Sequence, residues 1–235
     1  MNNLEVRELV TISEQSMGRA IFDEVWPVMG GGTEITPNLM QAMVHNGAYL
    51  AGAFVDGKIA GAAFAFPSIK EEIHLHSHMA ATLPKFRDAG IGSVLKQHQY
   101  TWARAAGYKS IRWTFDPLVR RNAKLNVVKL GVDIIGYYPN SYGAMPDMLN
   151  SGDDSDRLMA RWDLTDEQPL IRPVISMIPE DSIRIAIPED IVKLRSDDPA
   201  KAKEWRVNVR QVFMNALKNN RELIGFSDNN EYILA

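Results

Sequence analysis

Residues 83–107, LPKFRDAGIGSVLKQHQYTWARAAG, constrain this chain more than any other stretch. A strand-like run, EIHLHSHMAATL (72–83), is broken by Pro84, and a long amphipathic segment opens on Gly90 and Gly92. The order is strand, short loop, helix, with Arg87 just upstream of the glycines. The first N–H groups of a helix have no partners within it, and aligned peptide dipoles put partial positive charge there. Glycines let the backbone close on an anion, and arginine adds a bidentate charged contact to phosphate. Neither a G-x-x-x-x-G-K-[ST] loop nor a G-x-G-x-x-G fingerprint follows the strand; the pattern is R-x-x-G-x-G. The competing reading is that the glycines only permit close helix–strand packing.

Around this unit the chain alternates helical and extended patterns. Residues 11–26 read as a helix closed by Pro27, and Thr36-Pro37 starts a second after the run Gly30–Gly32. That glycine run reads either as a mobile lid or as an ordinary connection. AYLAGAFV (48–55) and KIAGAAFAF (58–66) flank Asp56-Gly57 as a hairpin, and Pro67 ends the second strand. In helix 90–107, Ile91, Val94, Leu95, His98 and Trp102 share one face, which makes His98 a core histidine. SIRWTFD (110–116) is a strand whose Trp113 and Phe115 are core residues; Asn122–Leu130 is a short helix closed by Gly131. VDIIGYY (132–138) and RLMARWDL (157–164) are further strands, giving a mixed α/β layered fold.

Residues 165–182 contain three prolines and mark a boundary. The chain thus divides into 1–164 and a C-terminal extension, 165–235. The extension carries a strand at 183–187, a helix over 199–220 and a hairpin around Asp228–Asn230. It is too small to hold its own core, so the helix face with Trp205, Val209, Val212 and Phe213 is expected to dock on the main domain or a partner subunit. Arg206 and Arg210 are expected on another, solvated face, available to an acidic acceptor.

Charge and composition remove several function classes. A net charge of −3 argues against a nucleic-acid partner. With no cysteine there is no disulfide, thiol nucleophile or Cys-ligated zinc. No apolar run of about 18 residues and no signal-peptide pattern occur, so a cytoplasmic protein off the membrane is expected.

The motif L-P-x-F-R-x-x-G-I-G-x-x-L between strand and helix resembles the pyrophosphate loop of the GNAT superfamily of N-acetyltransferases. Asn122-Ala123 with Lys129-Leu130-Gly131 resembles its second signature, N-x-x-A…K-x-G-F, with the alanine shifted and Val132 in place of the aromatic. The resemblance covers residues 1 to about 164. It implies a mixed, mostly antiparallel twisted sheet flanked by helices, here with a small α/β extension. It also implies acetyl-CoA as co-substrate, bound where the strands 72–83 and 110–116 splay apart. The backbone of Ala80, Ala81 and Thr82 would bond the pantetheine arm. Arg87, Asp88, Ala89, Gly90, Ile91, Gly92 and Ser93 would cradle the pyrophosphate, and Asn122 would hold the far side of the arm.

Two positions depart from the family. Asp88 stands where glycine is usual, and its carboxylate would repel a pyrophosphate unless it points to solvent. Val127 stands where the family's thiolate acid is a tyrosine. Tyr137, Tyr138 and Tyr142 are the nearest substitutes, and Tyr142, in a polar loop, is the expected proton donor.

Glu71, Glu72, His74, His76, His78 and Asp116 are the candidate bases. His78 is preferred as nearest the expected thioester. The H-x-H-x-H run could ligate a metal, but it lacks a carboxylate pattern and no metal is expected. The implied function is acyl transfer from coenzyme A to a small-molecule amine by direct attack, with no nucleic acid or membrane partner; a homodimer is compatible with it. The rival readings are a non-catalytic acyl-CoA-binding sensor of the same fold, favoured by Val127, and a histidine-cluster metalloprotein.

Overall fold

The computed structural model describes residues 3–87, 89–145, 152–165, 172 and 174–235. It divides into two compact units, Met1–Trp113 and Thr114–Ala235.

In the first unit, β1 (Leu4–Glu8) leads into α1 (Ile12–Val25) and α2 (Pro37–His45). β2 (Tyr49–Val55), β3 (Lys58–Ser68) and β4 (His74–Thr82) follow, then α3 (Ile91–Ala105) and β5 (Ser110–Phe115). The strands lie in the order β1-β2-β3-β4-β5. All of these pairs are antiparallel except β4 with β5, which run parallel. Local chemistry accounts for most of the elements. Thr11 and Glu14 form a reciprocal capping box at the start of α1, and Thr36 caps α2 with Pro37 in its first turn. Asp56 and Gly57, both at positive φ, make the β2–β3 turn.

β1 was not legible in the sequence, because a five-residue edge strand carries too few alternations to register. β3 also runs through Pro67 to Ser68, since Pro67 pairs with Leu75 near the strand end, where its missing N–H is tolerated.

α1 and α2 cover one face of this sheet and α3 the other. Ala62, Phe64, Met79 and Ala81 join Leu9, Ile21, Phe22 and Met40 in a single apolar cluster. Gly61, on the opposite face, lies against Ile91 and Leu95 of α3. The buried face of α3 is rotated from the sequence expectation. Ile91, Leu95, Lys96, Gln99, Tyr100 and Ala103 are inside, whereas Val94 is 37 % exposed. Two polar side chains therefore sit inward, which hydrophobic periodicity cannot anticipate.

In the second unit, α4 (Arg120–Ala123) continues into a π-helical segment, Lys124–Lys129, marked by the Leu130 N–H bonded to the Leu125 carbonyl. β6 (Asp133–Tyr138) pairs antiparallel with β7 (Arg157–Asp163). β8 (Ile183–Ala186), β10 (Glu231–Leu234) and β9 (Leu223–Phe226) form a separate antiparallel sheet with β10 in the middle. α5 (Ile191–Asp197) and the long α6 (Pro199–Lys218) precede its hairpin. Asp190 caps α5, and Asp198 caps α6 with Pro199 behind it.

α6 buries Val209 and Phe213, but Val212 is 39 % exposed. The expected solvated arginine face does not exist. Arg206 is fully buried and donates to Asp116 at 2.8 and 2.9 Å and to Asp153 at 2.7 Å. Arg195 of α5 joins the same two carboxylates. Arg210 donates to Asp154 and Asp156. The reason is charge pairing across long sequence separations, which brings acids before β7 and after β5 onto the inner side of the helix. Neither arginine is therefore free to meet an acidic acceptor.

Candidate active site

The parallel pairing of β4 with β5 extends only over Leu75–Ile111 and His76–Arg112. β4 continues to Thr82, bonded to β3 through Ala80–Ala63, Ala81–Ala62 and Thr82–Gly61. Its other edge, from Ser77 onward, is not paired with β5. Such an edge offers backbone N–H and C=O groups to an extended ligand.

A bulge sits just past the last paired residues. Met79 pairs with Phe64 and Ser77 with Ala65, so His78 is the extra residue. His76 and the bulged His78 share a face, with rings 6.1 Å apart and both against Phe66. After it, Met79 and Ala81 take over that face.

β4 ends in a 3-10 turn, Pro84–Phe86, and Arg87 then runs extended and exposed. Gly90 is the N-cap of α3 at φ 78°, a left-handed conformation that disfavours any side chain with a Cβ. No side chain caps this helix, and its first turn holds no acid. The first intrahelical bond runs from the Val94 N–H to the Gly90 carbonyl at 3.1 Å. The N–H groups of Ile91, Gly92 and Ser93 thus have no acceptor within the helix. Helix starts of this kind can accept an anion, and Arg87 lies just upstream of this one. Asp88 lies outside the described residues.

The candidate bases separate clearly. Arg112 pairs with Glu71 at 2.7 Å and with Glu72, and Glu71 is held at φ 66°. His74 donates its Nδ1–H to the Glu72 carbonyl at 2.8 Å. Burial, helped by His78, His74 and Lys96, lowers the His76 pKa to about 4. Asp116 cannot serve as a base. Burial alone would raise its pKa, but the guanidiniums of Arg206 and Arg195 outweigh that and hold it at about 2. His78 is exposed by area, yet surrounding protein desolvates the ring enough to lower its pKa. It is therefore uncharged and able to accept a proton at neutral pH. Among the described residues no group of three His, Asp or Glu side chains could hold a metal ion.

The other residues singled out from the sequence belong to the second unit. Asn122 is half-buried on α4, and Val127 is fully buried in the π-helical segment. Tyr142 lies in the turn after β6, 45 % exposed, with its hydroxyl 2.9 Å from that of Thr114, the residue after Trp113. Tyr137 is engaged by Asp156 at 2.6 Å. The expected core histidine, His98, is half-buried and bonds the Tyr49 hydroxyl through Nδ1 at 2.9 Å. Sequence reasoning missed Ser77 and Lys96, which meet beneath the end of the β4–β5 pairing; only the inward rotation of α3 reveals them.

The model of the acetyltransferase (GNAT) family matches residues 19–126, a range that holds β4, the glycine loop and α4. Residues 19–126 thus match the GNAT acetyltransferase family. Solved structures agree with this GNAT fold. The acetyltransferase of the GNAT family from Streptococcus pneumoniae is 18% identical, with a TM-score of 0.55 over 69% of this chain and 100% of its own. A mosquito arylalkylamine N-acetyltransferase-like protein is 16% identical, with a TM-score of 0.54 over 69% of this chain and 100% of its own. A Salmonella typhimurium protein of the acetyltransferase class, solved with its cofactor acetyl-CoA, is 12% identical, with a TM-score of 0.54 over 71% of this chain and 98% of its own. A comparison with curated proteins finds no match. Among the described residues no helix is long and apolar enough to cross a membrane.

Proposed function

We propose that this protein transfers an acyl group, acetyl in the first instance, from coenzyme A to the amine of a small molecule. The observation that carries the reading is the uncapped start of α3, with Gly90 left-handed, directly after a strand whose outer edge is unpaired beyond His76. The anion end of coenzyme A fits the first feature and its amide-bearing arm the second. In this reading Ala80, Ala81 and Thr82 bond the arm through their backbone. Residues 87–93 take the pyrophosphate and Asn122 closes the far side. The acyl-CoA-binding part is residues 1–164, with 165–235 as an extension packed on it, and the protein works in the cytoplasm.

The chemistry is a direct displacement. The amine nitrogen attacks the thioester carbonyl carbon, the new C–N bond forms, and the C–S bond breaks as the adduct collapses. His78 takes the proton that the nitrogen sheds, and the Tyr142 hydroxyl gives one to the departing sulfur. With no cysteine in the chain, no acyl-thiol intermediate on the protein is available. The neighbour solved with acetyl-CoA supports the donor. The acceptor depends on loops that vary freely on one fold.

The deciding experiment is thiol release from acetyl-CoA against a panel of small amines. Amine-dependent release supports an enzyme. Tight coenzyme A binding with no release supports the second reading, a non-catalytic acyl-CoA sensor, which the buried Val127 at the family's tyrosine position favours.

Two substitutions probe the parts separately. Arg87→Ala should weaken coenzyme A binding by roughly tenfold or more, the scale of a lost charge-assisted contact. Unchanged calorimetric affinity would remove the loop from the site. Tyr142→Phe should lower kcat by about a hundredfold while sparing that affinity, as loss of a general acid does. Full turnover in this variant would leave protonation of the thiolate to water.

A further inference from the structure

Lys96 is 4 % exposed on the sheet side of α3. Its Nζ donates to the Ser77 Oγ at 2.7 Å and to the Gln99 Oε1 at 3.4 Å, and lies 3.7 Å above the centre of the Trp113 ring. None of these partners is a carboxylate. A lysine buried without a counter-ion is costly and calls for an explanation. Its position supplies one. Ser77 and Trp113 are the first residues past the last paired positions of β4 and β5, His76 and Arg112. The cation thus lies under the vertex where the two strands part. Ser77 accepts from Lys96, so the hydroxyl's own proton is left for another acceptor. Gln99 is fully buried beside them, and its Nε2 has no partner among the described residues.

We infer that Lys96, acting through the Ser77 hydroxyl, stabilises the negative charge that develops on the coenzyme A sulfur when the thioester breaks. Lys96 is a positioning residue and Ser77 the group that faces the sulfur. The inference rests on the coenzyme A reading of the vertex. It assigns the site a source of positive charge that the family motifs do not contain. No bond is made or broken by Lys96 itself: the C–S electron pair stays on sulfur as thiolate, and the cation lowers its energy until a proton arrives.

Burial lowers the Lys96 pKa to about 7, and a thiolate held beside it favours the ammonium and raises that value again, so the two groups titrate as a coupled pair. His76 of β4 is the ionisable neighbour whose own pKa registers the Lys96 charge. Glu8 of β1 is engaged by the Trp102 Nε1–H at 3.0 Å, and Tyr49 of β2 by His98. Among the described residues, the elements packed on α3 therefore bring no fixed anion onto the Lys96 ammonium.

The test needs no acceptor substrate. Coenzyme A in its free-thiol form is bound to the protein and titrated, with thiolate followed by its ultraviolet absorbance against the desulfo analogue. In the wild type the bound thiol should ionise on the order of one pH unit below coenzyme A in solution. Lys96→Met and Ser77→Ala should return it to the solution value, and Lys96→Arg, which keeps the charge, should preserve the shift. A bound thiol that titrates alike in the wild type and Lys96→Met overturns the inference while leaving the coenzyme A site standing. Failure of the wild type to bind coenzyme A overturns both. Ser77→Ala removes no charge, so it decides the same question should Lys96→Met fold poorly.

Discussion

Replacing Arg206 by methionine should cost about 3–5 kcal/mol of folding free energy, the scale for removing one partner of a buried ion pair. Arg206 is 0 % exposed, and the carboxylates of Asp116 and Asp153 that it holds are 5 % exposed at the side chain. Methionine fills much of the volume, so the loss is chiefly that of compensation for two buried negative charges. Arg195 still reaches both acids and softens the loss. Chemical denaturation should show a lower midpoint with little change in slope. The same network sets an acid limit. Asp116 has its folded pKa held at about 2, below the ordinary value of 3.8. Its contribution, about 2 kcal/mol, is therefore complete above the unfolded pKa and is lost as pH falls through the folded one. In Arg206→Met that acid transition should begin at higher pH. Equal stability of the variant and the wild type at neutral pH would show that the network adds nothing to the second unit.

Gly61→Val should produce the second large loss, in both stability and coenzyme A affinity. A Cβ at this position would lie 2.6 Å from the Ala81 carbonyl oxygen and 2.9 Å from the Ile91 Cγ2. The first obstacle is backbone, which cannot swing aside like a side chain. β4 must therefore shift at one of the residues proposed to hold the pantetheine arm, and α3 at Ile91, in the proposed anion loop. Overpacking of this kind costs about 1–3 kcal/mol, and the displaced donors should weaken coenzyme A binding by roughly tenfold. Gly52→Ala is the control. Its Cβ would meet only side-chain atoms, of Phe54 at 3.1 Å and of Ile59 and Leu9 at 3.2 Å. It should cost less and leave binding unchanged. Parallel urea melts and calorimetric titrations check both, and normal affinity in Gly61→Val would detach β4 and α3 from the ligand.

The elements whose signals are local were readable in the chain itself. Asp56-Gly57 announced the β2–β3 hairpin, and Thr36-Pro37 announced α2. The R-x-x-G-x-G run announced a helix start that Gly90 leaves uncapped. In each case one or two residues fix a backbone conformation through φ preference or a cap, so a short window suffices. The likeness to the GNAT family was legible for the same reason, since its loop motif is contiguous. The long helix 199–220 was also legible, but its orientation was not. Hydrophobic spacing placed Val209 and Phe213 inward, yet it treated Arg206 and Arg210 as outward because they are charged.

Only the tertiary structure decided where charge could be buried. Arg206 is interior because Asp116 and Asp153, 90 and 53 residues away, converge on it. Lys96 is interior because Ser77 and Trp113 arrive from two strands, β4 and β5. The His78 bulge and the two-residue pairing of β4 with β5 are likewise properties of neighbouring strands. A polar side chain is stable inside only when its partners are supplied by other parts of the chain. The sequence contains those partners without saying that they meet. It determined the local conformations and the family likeness, whereas the packed fold determined which charges became its interior.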